Sequence, residues 1–204
     1  IGKNKILSDV SYNFQKKGKY IISGANGSGK STLIKTLVGL VDAKGNFLIN
    51  DQDIYSYSAT SIQKLITFHN QDNFLFEGTV LENISFFSSV DISKVQEVFA
   101  ELTIEPSKVF SNGLNTTIKE NGIGMSGGQK QLVCLVRSLT TNAQILVLDE
   151  PTNHLSKENA KKIMSYLQRL DKTVIIVSHE IFSQEVKNIS SLNKGKIQVS
   201  EINN

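Results

Sequence analysis

A parallel α/β fold is what this sequence predicts, and three observations predict it. Two short runs are wholly apolar, "ILVL" at 145–148 and "VIIV" at 174–177. Between them Ala160, Ile163, Met164, Leu167 and Leu170 recur at helical spacing. A glycine-rich turn, "GANGSGKST" at 24–32, joins "KYIIS" to a segment patterned by Leu33, Ile34, Leu37 and Val38. Strands without polar alternation bury both faces, and strands that alternate with helices form parallel sheets.

The elements follow in order. Residues 5–23, "KILSDVSYNFQKKGKYIIS", read as two short strands joined by a Lys/Gly turn, and "GNFLIN" at 45–50 as another, together a small antiparallel sheet. The first helix runs from Lys30 to about Leu40. From 73 to 140 the character changes: Val95, Val98, Phe99 and Leu102 fall at i, i+3, i+4 and i+7, and Leu132, Val133, Leu135, Val136 and Leu139 follow. That stretch reads as a helical insertion. "KIQVSE" at 196–201 fits a last edge strand. A chain of 204 residues, 39% hydrophobic, suits one domain: a core with a β-subdomain (1–72 and 141–204) and a helical subdomain (73–140).

Charge excludes some roles. With 22 basic residues scattered among 19 acidic ones the net charge is only +3, so neither nucleic-acid nor membrane-surface binding is expected. The single cysteine, Cys134 in "LVCLV", rules out an intrachain disulfide and reads as a small buried hydrophobe. No apolar run approaches the roughly 20 residues that span a bilayer. No basic segment followed by an apolar run opens the sequence, so a cytosolic chain without an export leader is expected.

The motifs carry the chemistry. "GANGSGKST" is a complete GxxxxGK[S/T] phosphate loop, set between a strand and a helix. Gly24, Gly27 and Gly29, with Ala25, Asn26 and Ser28 between them, let backbone N–H groups turn inward around a β-phosphate. Lys30 supplies charge to the β- and γ-phosphates, the Ser31 hydroxyl reaches Mg²⁺, and Thr32 continues into the helix. "ILVLDE" ends a buried strand with two carboxylates, at the sheet edge where open α/β folds bind ligands. Successive strand residues point to opposite sides, so Asp149 and Glu150 take separate roles. Asp149 is the expected metal residue and Glu150 the expected general base for an attacking water. His179, just past "VIIV", is expected to touch the γ-phosphate or that water, although a lone histidine there is more often structural. His69 and His154 read as loop residues without such a role.

"MSGGQKQ" at 125–131 raises a further question. Ser126 and Gln129 are spaced as a capping box, which does not call for Gly127 and Gly128. Glycine in a first turn costs up to about 1 kcal/mol against alanine, but offers a bare backbone to an anion. The segment therefore reads as a second phosphate site. Gln71, in "ITFHNQDNFLF", sits in a loop between a strand and the helical insertion.

In this order and spacing, GANGSGKST, Gln71, MSGGQ, ILVLDE and His179 resemble the ATPase domain of ABC transporters over essentially the whole chain. The resemblance implies a P-loop NTPase (RecA-like) α/β core with a small antiparallel β-subdomain and an inserted helical subdomain. It implies ATP and Mg²⁺ as cofactors, and Mg²⁺-dependent ATP hydrolysis that powers transport. Two such domains would pack head to tail, with Ser126, Gly128 and Gln129 of one closing on the γ-phosphate held by the other. Gln71 would meet Mg²⁺ and the membrane partner, Asn153 to Ser156 would cross the dimer seam, and His179 would be the switch histidine. "LFEGTVLENI" (75–84) and "TTIKENG" (116–122), with Glu120 as its acid, are similar to the exporter branch. This implies contact with a transmembrane domain at the cytoplasmic face of the membrane. "EPTNHL" (150–155) is also similar to soluble ABC proteins that act on ribosomes or DNA, the alternative reading. Met125, Lys119 and Ser156 stand where the family commonly has leucine, glycine and aspartate. The family's adenine-stacking aromatic would fall before residue 1, since Tyr12 and Tyr20 read as strand residues.

Overall fold

Runs of apolar residues that lack alternation end up as parallel strands in the computed structural model, which describes residues 6–7, 10–86, 91–178, 188–193 and 196–201. Two units make up the chain. The first holds the described residues through Phe68, Ala143–Glu150 and those from Asp171 onward; the second holds His69–Asn142 and Pro151–Leu170.

In chain order the elements are β1 (Lys19–Ser23), α1 (Lys30–Leu37), β2 (Leu48–Ile49), β3 (Gln52–Asp53), α2 (Ala59–Leu65), β4 (Ile66–His69) and β5 (Gly78–Thr79). Then come α3 (Val80–Ser85), α4 (Ile92–Glu101), α5 (Pro106–Val109), β6 (Thr117–Ile118) and α6 (Gly127–Leu139). The last are β7 (Ile145–Asp149), α7 (Lys157–Arg169), β8 (Thr173–Val177), β9 (Asn188–Asn193) and β10 (Lys196–Glu201).

The first unit is built on a six-stranded sheet of order β10-β9-β1-β8-β7-β4. β1 pairs in parallel with β8 and with β9, and β7 in parallel with β8. β10 runs antiparallel to β9 and closes that edge. On one face Tyr20, Ile22, Val147, Ile175 and Val177 pack with Leu33, Ile34 and Val38 of α1 and its end. Ile21, Leu146, Leu148, Val174 and Ile176, which alternate with them, are equally buried. Burial on both faces is why these strands read as unbroken apolar runs. Each such side chain contributes roughly 1.5–3 kcal/mol of transfer free energy.

The opening stretch differs from expectation. Among the described residues 10–15 form no strand, and β1 lies in the parallel sheet rather than in an antiparallel one. Tyr12 and Phe14 instead pack at a tilt against each other and edge-on against Tyr20, with ring centroids 4.7, 5.9 and 5.0 Å apart. Their alternation reflects one apolar side packed on a ring rather than a backbone ladder. The "GNFLIN" stretch does pair antiparallel, as the short ladder β2–β3.

The second unit is helical apart from the two-residue pair β5–β6. Apart from α5, its α-helices start at capping side chains: Thr79 and Glu82 form a reciprocal box at α3, and Asp91 accepts from Ser93 N–H at α4. Ser156, which stands where the family commonly has aspartate, caps α7 by accepting from Asn159 N–H at 3.2 Å. α6 packs against α3 and α4. Arg137 ties the helices to the chain before them, donating to the carbonyls of Asn83 at 2.7 Å and Phe74 at 3.0 Å. Cys134 is buried, as its setting in "LVCLV" predicts.

His69 closes β4 as a buried residue, not as a loop histidine. Its Nε2 faces Gln131 Nε2 at 3.0 Å. Burial is the main cause, with the Arg137 charge adding to it, of a pKa pushed down to about 4. The unfolded chain takes up this proton first as pH falls below about 6.5, so the contribution to stability is complete above that value and lost on the way to about pH 4. Urea titrations at pH 7 and pH 4.5 should therefore show the wild type losing on the order of 2–3 kcal/mol more than a His69→Gln variant. Equal losses in the two proteins would mean that His69 titrates normally.

Candidate nucleotide site

The phosphate loop begins where β1 ends, at Ser23. Gly27 has φ 76° with nothing within 4 Å of a built Cβ, so its glycine answers a backbone requirement, not a shortage of space. Gly29, at φ 102°, precedes α1 and brings no capping side chain to the first-turn N–H groups. Bare donors of this kind at a helix N-terminus suit an anion. Lys30 is 7% exposed, and its ammonium donates to the carbonyls of Gly24 at 2.8 Å and Ala25 at 3.1 Å. Ser28 Oγ is buried inside the same loop with no partner among the described residues. Ala25, Asn26 and Ser31 are exposed and Thr32 half-buried. An uncapped helix start, a buried ammonium and a buried hydroxyl fit a nucleotide's phosphates.

Register brings the acids to the same edge. Ile22 pairs with Val177 and Asp149 with Val177, so β1, β8 and β7 run out in step. The phosphate loop follows β1, and Glu150 follows β7. Asp149 and Glu150 are 3% and 5% exposed, so two carboxylates lie buried at the edge where α/β folds receive ligands. Strand alternation does not separate them, however. Glu150 lies past the end of β7 in the left-handed region, φ 49°, and its N–H donates to Val177 O at 2.9 Å. For a residue with a Cβ this conformation costs about 1–2 kcal/mol, and such strain clusters at functional sites. His179 lies outside the described residues; Ser178 before it is buried, its N–H on Ile22 O at 3.3 Å.

Gln71 and the "SGGQ" segment belong to the second unit, whereas residues 24–32, Asp149 and Glu150 belong to the first. Gln71 is exposed in the loop after β4. The capping box forms as spaced: Ser126 Oγ accepts from Gln129 N–H at 3.2 Å, and Gln129 Oε1 accepts from Ser126 N–H at 2.9 Å. The Gln129 amide also donates to Val109 O at 2.6 Å, so its side chain is engaged within the unit. An α-helix begins with four N–H groups lacking intrahelical partners. Two are satisfied here by the box, and those left are Gly127 and Gly128.

A second reason for the glycines was not visible in the sequence. A Cβ on Gly128 would lie 2.7 Å from the backbone oxygen of His154, and one on Gly127 3.3 Å from that histidine's ring. His154 itself is left-handed, φ 63°. The turn before α7 therefore presses directly on the start of α6.

Among the described residues no cluster of three His, Cys, Asp or Glu side chains could hold a metal unaided. Mg²⁺ ordinarily takes one or two protein oxygens plus substrate phosphates, which Ser31 and Asp149 suit.

A parallel sheet with this loop after one strand and buried acids after a neighbour defines a P-loop nucleoside-triphosphatase fold. The chain belongs to the ABC transporter family, whose model matches residues 7–153 and whose ATP-binding domain hydrolyses ATP to power transport. It is 37% identical over 198 residues to the ATP-dependent lipid A-core flippase 2 of Colwellia psychrerythraea, covering 94% of this chain and 34% of that protein. It is 34% identical over 203 residues to the Pediocin PA-1 transport/processing ATP-binding protein PedD of Pediococcus acidilactici, covering 95% and 28%. A bacterial Atm1-family ABC exporter solved with ATP bound superposes with a TM-score of 0.88 at 27% identity, over 97% of this chain and 36% of that one. The chain thus spans about a third of the length of these relatives. Among the described residues no helix is long and apolar enough to cross a membrane.

The two reasons for Gly128 predict opposite signs. If the glycine served only an anion, Gly128→Ala would stabilise α6 by up to about 1 kcal/mol. Overpacking against a backbone oxygen should instead destabilise by about 1–3 kcal/mol. Thermal unfolding of the nucleotide-free protein distinguishes them, and Gly127→Ala, facing a side chain that can shift, should be the milder change.

Proposed function

We propose that this chain is the Mg²⁺-dependent ATPase engine of an exporter, working at the cytoplasmic face of a membrane as a head-to-tail pair with a second such domain. The observation that carries the reading is the shared edge of β1, β8 and β7, which sets a phosphate loop beside two buried acids. The relatives, a flippase and a pediocin transport protein among them, favour export over a soluble remodelling role.

In this reading Gly24 to Thr32 cradle the phosphates of ATP and Lys30 compensates the charge of the β- and γ-phosphates. Ser31, Asp149 and Gln71 are the residues that would hold Mg²⁺. Mg²⁺ held by them would supply positive charge against that of the nucleotide's phosphates. Glu150, fixed by its backbone bond to Val177, orients the attacking water and takes its proton. His179 is assigned to the γ-phosphate or the attacking water. Ser126, Gly127 and Gly128 receive the γ-phosphate of the partner's ATP, and Gln129 keeps their helix start in shape. Glu120, exposed after β6, faces the transmembrane domain.

Two experiments test this. Glu150→Gln keeps the shape but cannot take the proton, so turnover should fall at least ~100-fold while ATP affinity stays within a few-fold. Turnover near wild type would remove Glu150 from the role. Lys30→Ala and Ser126→Arg should each be inactive alone, since every composite site is then defective. Mixed or tethered, they contain one site with both residues intact, and activity should return in proportion to heterodimer. A tethered heterodimer as inactive as its parents would count against action in trans.

A further inference from the structure

The carboxamide of Gln131 joins both stems of the Gln71 loop. On one side its Nε2 meets His69 Nε2 at 3.0 Å; on the other its Oε1 accepts from Asn73 Nδ2 at 2.7 Å. His69 and Gln131 are 2% and 1% exposed, whereas Gln71 and Asp72 between the stems are exposed. Gln131 lies on α6, two residues after the Gln129 that caps that helix. Further along the same face of α6, Cys134 Sγ and Arg137 both reach Phe74 O, at 3.7 and 3.0 Å. Residues 69–74 are thus laced to the helix that carries Ser126, Gly127 and Gly128.

The chemistry of the bridge is directional. Gln131 Oε1 is committed to the Asn73 donor, so the amide nitrogen must donate to His69, which must then accept at Nε2. A neutral imidazole with its proton on Nδ1 meets this demand; an imidazolium presents an N–H to an N–H and does not.

We propose that His69 and Gln131 are positioning residues for Gln71: their hydrogen bond makes the Gln71 loop and the start of α6 one rigid body. The inference rests on the ATPase reading for its kinetic consequence, but not for its structural one. It requires an acceptor at residue 69, not a histidine as such.

The test compares His69→Leu, which keeps an apolar volume without an acceptor, with His69→Gln, whose carbonyl can accept from Gln131. In the nucleotide-free intact protein, amide hydrogen exchange of residues 70–74 should rise at least ~10-fold in His69→Leu and stay near wild type in His69→Gln. In the presence of ATP, kcat of His69→Leu should fall ~10- to 100-fold with a higher Mg²⁺ requirement, while KM for ATP changes little; His69→Gln should recover most of the rate. Asn73→Leu cuts the other stem at a half-buried site and should reproduce the His69→Leu pattern; it stands in if that variant does not fold. Exchange in both His69→Leu and Asn73→Leu equal to wild type, or a His69→Gln as defective as His69→Leu, overturns the inference. A wild-type protein without Mg²⁺-dependent ATPase activity would overturn the functional reading instead, and the exchange comparison still decides this one.

Discussion

Three parallel strands that end in step, β1, β8 and β7, hold the chemistry of this molecule in place. Their register is set by backbone hydrogen bonds, with Ile22 and Asp149 both opposite Val177. A one-residue slip in either ladder would turn every side chain of the shifted strand to the other face. Because both faces of these strands are buried, a slip would also disturb the packing of Ile22, Val147 and Val177 on α1. The same bonds extend past the strands: Ser178 N–H reaches Ile22 O, and Glu150 N–H reaches Val177 O. The phosphate loop and the acid pair are therefore positioned by the buried interior strands of the sheet, and the strain at Glu150 is held by them.

The helical unit solves a different problem, the satisfaction of polar groups around one helix start. Ser126 and Gln129 satisfy two of the four unpartnered N–H groups at the start of α6, leaving the pair on Gly127 and Gly128. Those glycines must also be small, because the His154 carbonyl lies where a Cβ on Gly128 would be. Under the proposed reading, ligand access and internal packing select the same residue type at one position. Further along the helix, Gln131 and Arg137 turn toward residues 69–83, so polar bonds as well as apolar contacts join α6 to the segment before it.

What could be read from the sequence was local. The phosphate loop, the apolar strands, the period of α4 and the box at Ser126 and Gln129 each depend on neighbours within a few residues, and each was legible for that reason. The misses share a different cause. His69 reads as a loop residue because nothing within "ITFHN" indicates that Gln131, 62 positions away, will pair with it. Glu150 reads as the next strand residue because alternation carries no signal for a left-handed step. Residues 10–15 alternate as a strand does, yet their period records packing on Tyr20. The role of His154 behind Gly128 was hidden likewise, since two segments far apart in the chain create it.

The lysine of the phosphate loop has a consequence for kinetics. With its ammonium bonded to the carbonyls of Gly24 and Ala25, Lys30 braces the loop from within, its own oxygens standing where a ligand's would otherwise be needed. A loop braced in this way keeps its curvature between turnovers. An arriving nucleotide then meets a loop already curved, so its capture by Lys30 is an exchange of oxygens around a cation rather than a folding event.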